Sequence, residues 1–411
     1  MAPNPTIIQA VEQLGYRVTV GDVATQAGLN VAETNQGLLA LASDAGGHLQ
    51  VSDTGDIIYV FSQDLNAKLR NKYLRLRLQE WWKKVWSVLF YLIRISFGIF
   101  LIVSIALIAM SIIMIVTAIN SDRDSGDSGG NFSGGFFYFP DLFWYLSPDY
   151  DTRQQQRRRE KSNLNFFEAV FSFLFGDGNP NVKLEERRWQ TIATVIRSNR
   201  GAVVAEQIAP YLDDLGFGSA KDYEDYMLPV LTRFNGQPAV SPEGEIVYYF
   251  PQLQVTAVKQ HEQPVPVYLE ELPWRFSAAT SGQVLLSAGL GVANFVGALV
   301  LGSLLRDGAA SIGGLVGFVQ LIYWVLLGYG TGFLIVPLVR YFWIQWRNQK
   351  IAARNGDRRS RAKLLASADT SLQQKIAYAH QFANEKFISK EDLAYTTESD
   401  LLEQEFGRLG E

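Results

Sequence analysis

Between residues 85 and 119 the chain runs through 35 positions with a single charged side chain, Arg94. About 20 consecutive apolar residues let a helix cross the hydrocarbon of a bilayer, so this stretch can cross with residues to spare. Residues 283–305 and 309–339 are two further uncharged runs, separated only by Arg306, Asp307 and Gly308. They read as a tight transmembrane hairpin. Whole-chain averages conceal this segregation, because a net charge of −4 over 411 residues is that of an ordinary soluble protein. Residues 1–14 lack a basic stretch followed by an apolar core, so no cleavable signal is expected there.

Outside these runs one stretch occurs twice. Val51-Ser52-Asp53-Thr54-Gly55-Asp56-Ile57-Ile58-Tyr59-Val60-Phe61 returns as Val240-Ser241-Pro242-Glu243-Gly244-Glu245-Ile246-Val247-Tyr248-Tyr249-Phe250, identical at Val, Ser, Gly, Ile, Tyr and Phe. In each copy a turn around Gly55 or Gly244 precedes alternating Ile, Tyr and Phe, the pattern of a half-buried strand in a β-hairpin. Three helical signals precede each hairpin: 5–14, 20–27 and 30–44 in the first, then 189–198, 202–212 and 220–234 in the second. Asn30 with Glu33 has the spacing of a capping box. Three helices closed by a hairpin form a winged helix, so residues 1–63 and 187–256 are expected to be two such domains.

The expected fold class is a mostly α membrane protein with two winged-helix (α+β) soluble domains and a C-terminal helical tail. Residues 64–84 form a basic juxtamembrane helix, in which Arg75, Arg77, Trp81, Trp82, Lys83 and Lys84 mark a membrane boundary. Residues 85–119 are a transmembrane or re-entrant segment. Residues 120–186 join a flexible Gly/Ser/Asp-rich stretch to interfacial aromatic segments, where the candidate interaction residues are Phe143, Trp144, Phe166, Phe167 and Phe171. Asp177 and Asn179, in the turn that follows, complete that set. A linker covers 257–282, the transmembrane hairpin 283–346, and a basic then acidic helical tail 347–411. Arg340 and Arg347 mark the boundary after the hairpin. Helical signals in the tail run over 370–387 and again from Ser389, whose spacing to Asp392 matches a capping box.

The basic residues before 85 and after 339 both belong on the cytoplasmic side. The hairpin returns the chain to the face it left, so residues 85–119 are expected to make no net crossing, by breaking near Ser96, Phe97 and Gly98 or near Ser104. The competing arrangement leaves 85–119 as one crossing and splits 309–346 at Gly328-Tyr329-Gly330-Thr331-Gly332. The first is preferred because paired modules can pack together only on one face.

Winged helices commonly bind DNA, yet residues 30–44 hold Glu33 and Asp44 and no Lys or Arg, and the second copy sets Lys221 against Asp222, Glu224 and Asp225. DNA affinity comes largely from basic residues that neutralise phosphate, so nucleic acid is not the expected partner. The chain has no cysteine, which removes disulfides, thiolate nucleophiles and cysteine-held clusters. Gly126-Asp127-Ser128-Gly129-Gly130 spells the nucleophile motif of chymotrypsin-like proteases, but it sits in a low-complexity stretch of a chain with three histidines, where no triad scaffold is at hand. Asp177-Gly178-Asn179 begins like a calcium loop, and Val182 and Arg188 then occupy the positions that need Gly and Glu. No catalytic, cofactor or metal residues are expected, and the chain is read as a non-enzyme.

Arg94-Ile95-Ser96-Phe97-Gly98, Asp141-Leu142-Phe143-Trp144-Tyr145, Phe166-Phe167-Glu168-Ala169-Val170-Phe171-Ser172-Phe173 running into Phe175-Gly176-Asp177-Gly178-Asn179-Pro180-Asn181, and Tyr395-Thr396-Thr397-Glu398-Ser399-Asp400-Leu401-Leu402-Glu403 together resemble a family of integral membrane proteins of cyanobacteria and plastids. The resemblance spans most of the chain and implies a thylakoid or plasma membrane. Plant members of that family carry a label of iron–sulfur cluster biosynthesis. In a chain without cysteine this implies an indirect part in assembly rather than cluster ligation. The leading expectation is a membrane-anchored adaptor or assembly factor whose partners are membrane lipids and one or more proteins, with self-association open. The alternatives are a membrane-tethered DNA-binding regulator and a small-solute transporter, although a transporter normally carries ionisable groups inside its spans.

Overall fold

Asn4 starts the first helix by accepting a hydrogen bond from the Thr6 amide at 3.0 Å, with Pro5 at the first helical position. The structure, a computed structural model, describes residues 4–72, 74–121, 164–216, 223–258, 264–306, 313–389 and 391–398. It is mostly helical with three small sheets and divides into two compact units. The first comprises Met1–Trp81, Pro180–Pro273 and Lys350–Glu411, the second Trp82–Asn179 and Trp274–Gln349.

In chain order, helix α1 (Pro5–Gln13) and strand β1 (Arg17–Thr19) lead to α2 (Val20–Ala27). Thr19 Oγ1 accepts from the Asp22 amide while the Asp22 carboxylate accepts from the Thr19 amide, a complete capping box. Helix α3 (Val31–Ala45) begins on Asn30, whose Oδ1 accepts from the Ala32 and Glu33 amides, and it buries Val31, Thr34, Leu38, Leu41, Ala42 and Ala45 in one stripe. The hairpin β2 (His48–Ser52) and β3 (Ile57–Val60) follows, then α4 (Leu65–Lys72) and α5 (Leu74–Ser121). After α6 (Phe166–Phe175) come α7 (Leu184–Ser198), β4 (Ala202–Val203), α8 (Ala205–Ile208), α9 (Leu228–Phe234), β5 (Gln237–Val240), β6 (Ile246–Tyr249), α10 (Pro251–Gln254) and β7 (Val255–Thr256). The chain ends with α11 (Ser281–Arg306), α12 (Gly314–Ala366), α13 (Thr370–Ala379), β8 (Lys386–Phe387) and β9 (Leu393–Thr396).

The two repeated stretches make matching bonds. Strand β3 lies between β1 and β2 with Val18 opposite Tyr59 and Val51 opposite Ile57, while β6 lies between β4 and β5 with Val203 opposite Tyr248 and Val240 opposite Ile246. The Tyr59 hydroxyl donates to Asn35 Oδ1 at 3.0 Å, and the Tyr248 hydroxyl to Glu224 Oε2 at 2.8 Å. Each turn closes alike, with the Gly55 amide on the Ser52 carbonyl and the Gly244 amide on the Ser241 carbonyl. Both glycines have positive φ, +85° and +89°, the conformation glycine adopts at least strain. The second copy is less helical than its pattern suggests: a 3-10 turn at Asp225–Met227 precedes a seven-residue α9.

Residues from both copies share one core, in which Val23, Leu38, Leu41 and Tyr59 are buried in the same cluster as Ile192, Ile196, Phe234, Tyr248 and Phe250. The chain end covers the other face of each sheet. Ile58 packs with Ala257 and Ile388, and Val247, its counterpart, packs with Val204 and Ala379, flanked by Leu372, Ile376 and Phe382. This corrects the expectation of a helical tail. Beyond Phe382 the chain forms β8, parallel to β7, and β9, antiparallel to β2. Ser389 and Asp392 do bond, Ser389 amide to Asp392 Oδ2 at 2.8 Å, but the bond closes a turn ahead of β9 instead of starting a helix.

In the second unit, neither break expected in the apolar runs is present. Helix α5 is continuous through Ser96–Gly98 and Ser104, and α12 through Gly328–Gly332. The small residues serve packing: Ser96 Oγ donates to the Ile93 carbonyl, Ser104 Oγ donates to Asn294 Oδ1 on α11 at 2.6 Å, and Gly98 lies against Phe167. A side chain on Gly330 would press on the backbone of Phe295. The border drawn at 346 falls inside α12, which runs on to Ala366. Three helices, Trp81–Asn120, Ser281–Arg306 and Gly314–Ala366, are long and apolar enough to cross a membrane. Many of their large apolar side chains point outward, with Phe100, Leu321 and Trp324 exposed at 62%, 83% and 72%.

Candidate functional site

Asp22 joins the two copies in the first unit. Its fully buried carboxylate accepts from the Thr19 amide (2.9 Å), the Ala257 amide (3.0 Å), Thr256 Oγ1 (2.8 Å) and Arg197 Nη2 (2.6 Å). Arg197 donates further to the Val255 carbonyl at 3.2 Å. One carboxylate thereby caps α2, holds α7 and fixes the chain that leaves the second copy. Arg17 adds bonds to the carbonyls of Ala257 and Ile388, at 3.1 and 3.0 Å.

Two charged clusters hold the chain end. Asp213 accepts from Arg188 and from the buried Arg358 of α12, and Arg354 grips Glu271 through both carboxylate oxygens at 2.7 and 2.8 Å. Burial works to raise the Asp213 carboxyl, but the Arg358 bond and the charges of Arg188 and Arg358 outweigh it and hold it below the usual carboxylate range. On α13, Lys375 is buried among Glu224 (2.6 Å), Glu206 (2.9 Å) and Glu245 (3.7 Å). Burial works to lower its ammonium, and the carboxylates of Glu224 and Glu206 more than reverse that. Burial pushes the Tyr211 hydroxyl up to about 12, and it donates to the Pro266 carbonyl at 2.7 Å.

The surface left open is chemically distinctive. The outer face of α3 presents Ala32, Glu33, Asn35, Gln36, Leu39, Ala40 and Ser43, with no Lys or Arg, and Leu39 is 46% exposed. At its N-terminal end opens a cleft of about 480 Å³ lined by Asn30, Asn35 and Asp56 from the first copy and Thr232, Asn235 and Gln252 from the second. Asp56, the one charge lining it, is paired with Lys386 at 2.9 Å. Carboxamides and hydroxyls both donate and accept, which suits peptide main chain, whereas among the described residues no Lys or Arg lines the cleft. The sheet edges differ between copies. Leu49 exchanges bonds with Thr397 beyond β9, amide to Oγ1 at 2.9 Å and carbonyl from amide at 3.0 Å. Its counterpart, Pro238, has no amide hydrogen to offer there.

Most residues singled out in the sequence lie inside the second unit. Phe166 and Phe167 meet edge to face at 5.6 Å, and Phe171 packs on Phe90, Phe97 and Phe175. Asp177 pairs with Arg94 at 3.1 Å and accepts from Ser172 Oγ and the Ala278 amide, so the lone charge of the longest apolar run is neutralised internally. Asn179 is exposed in the same turn. Phe143, Trp144 and the Gly126–Gly130 motif lie outside the described residues. Arg75 and Arg77 lie on α5 ahead of the exposed Trp81, Trp82, Lys83 and Lys84. Arg340 donates to the Phe173 carbonyl at 2.8 Å, and Arg347 sits over the rings of Trp274 and Trp343. Asp22 and Arg197 were not singled out. Thr19 three residues before Asp22 is a legible capping signal, but nothing local points to Arg197. Among the described residues no group of three or more His, Asp or Glu is placed to hold a metal ion.

No family model matches the chain, and no solved structure matches it. It is similar to a protein of Arabidopsis thaliana described as "Uncharacterized protein At5g03900, chloroplastic", with 39% identity over 415 residues covering 97% of this chain and 79% of that one. At that identity and coverage, this chain belongs to the same family as the chloroplastic Arabidopsis protein.

Proposed function

We propose that this chain is a non-enzymatic, membrane-anchored protein-interaction adaptor or assembly factor of photosynthetic membranes, built on two winged-helix modules held as one body. The observation that carries the reading is the outer face of α3, where DNA-binding relatives of such a fold need cations. Here it presents small and amide side chains around an exposed Leu39 and opens onto a carboxamide-lined cleft. That chemistry favours a protein surface over a phosphate backbone. The three apolar helices support the anchor, and the chloroplastic relative supports a plastid or cyanobacterial membrane. The shared core of the two copies supports a location of both on one face, since no bilayer can pass through it. The iron–sulfur label of the resembling family enters only as an assembly task served through such contacts.

The test places a photo-crosslinking side chain at Leu39 or Ser43 in cells, with lipid-facing Leu321 as control. The reading expects one recurrent protein adduct from the first two sites, lost when Leu39→Asp is introduced with the crosslinker at Ser43. Salt-dependent retention of duplex DNA by the full chain, or protein adducts no different from those at Leu321, would contradict it.

A further inference from the structure

Where α12 leaves its apolar stretch, Arg347 is held in an aromatic cradle. Its guanidinium carbon lies 5.0 Å from the centre of the Trp274 ring and 5.2 Å from that of Trp343, and the two indoles meet edge to face at 5.1 Å. Asn348 fixes the cradle by bonding both main-chain groups of Trp274, its Oδ1 accepting from the amide at 2.8 Å and its Nδ2 donating to the carbonyl at 2.9 Å. Indole faces attract a guanidinium and orient its plane. They accept none of its hydrogen bonds along the edge.

That edge is unused. Among the described residues no acceptor bonds the Arg347 guanidinium, and its Nε is buried without a partner. Arg275, next to Trp274, is exposed, and from Trp274 to Gln349 the only acidic residue is Asp307. Exposed Tyr341, Phe342 and Trp346 precede Arg347 on α12, the aromatic composition of a bilayer interface. A rigidly held, unpaired guanidinium at that level lacks one thing, an anion with two or more oxygens, and the headgroup layer supplies it as lipid phosphate or sulfonate.

We propose that Arg347, cradled by Trp274 and Trp343, is a binding site for the headgroup of an anionic lipid. The site rests on the membrane reading above and makes it specific: the anchor selects lipid charge as well as apolar thickness.

The test uses the full chain, delipidated in a neutral detergent and titrated with phosphatidylglycerol or phosphatidylcholine, with bound lipid counted by native mass spectrometry. Phosphatidylglycerol is expected to bind in preference to phosphatidylcholine, and Arg347→Ala to weaken it by about tenfold, the order of one charge-assisted hydrogen bond. Arg347→Lys keeps the charge but not the fork and should fall between. If Arg347→Ala does not fold, Arg347→Lys and Trp274→Phe carry the comparison. Equal binding of the two lipids, unchanged affinity in the folded variants, or displacement by inorganic phosphate at matched concentration would each overturn the lipid site. Release of the chain from membranes by alkaline carbonate would instead sink the membrane reading beneath it, so the two failures are distinguishable.

Discussion

Asp22 ties together distant parts of the first unit, because its four donors come from three separate stretches of sequence. Removing one member of a buried pair leaves the other charged and unsatisfied, which typically costs about 3–5 kcal/mol. Asp22→Ala should therefore lower the stability of the full chain in detergent by about that amount, read as a shifted denaturation midpoint. A change no larger than that of an exposed substitution such as Glu33→Ala would refute the hub. At this scale the sequence is half legible. Thr19 and Asp22 have the spacing of a cap, but Arg197 is 175 positions away and no local pattern connects them. Arg94 was conspicuous as a lone charge, while its partner Asp177 read as an interaction candidate because a carboxylate in a turn looks solvent-facing until a distant cation is folded onto it.

Among the elements, the two hairpins show how one residue decides a sheet edge. Leu49 offers both backbone groups outward and takes on the strand β9, whereas Pro238 blocks the matching slot on β5, as proline does at sheet edges. Leu49→Pro should release β9, raising hydrogen exchange at the Thr397 amide by about tenfold or more for the loss of roughly 1 kcal/mol per bond. The exchange of amides in β6 should stay slow. Unchanged protection at Thr397 would mean that contacts other than the strand ladder hold the chain end. The hairpins were readable from alternation around Gly55 and Gly244. Strand β9 was not, because Ser389 and Asp392 make the same side-chain bond in a turn as at a helix start, and the edge that recruits the strand lies some 340 residues upstream. The apolar runs were legible in length and misread in continuity. Ser96, Gly98 and Ser104 look like breaks in the sequence, but inside a bundle Gly98 allows close approach and Ser104 bonds across to Asn294.

For the molecule as a whole, the account requires both hairpins and the chain end to lie on one face of the membrane. The two copies share a core, and the chain end seals the second face of each sheet, so none of the three can be separated by a bilayer. The absence of cysteine makes this directly measurable by labelling single-cysteine variants with an impermeant thiol reagent in sealed vesicles. The repeated Ser52 and Ser241 are buried beneath their turns, so the probes belong at the exposed Thr54, Glu243 and Glu391. The account predicts that Thr54→Cys, Glu243→Cys and Glu391→Cys label from the same face. Labelling of Thr54→Cys and Glu243→Cys from opposite faces would contradict it.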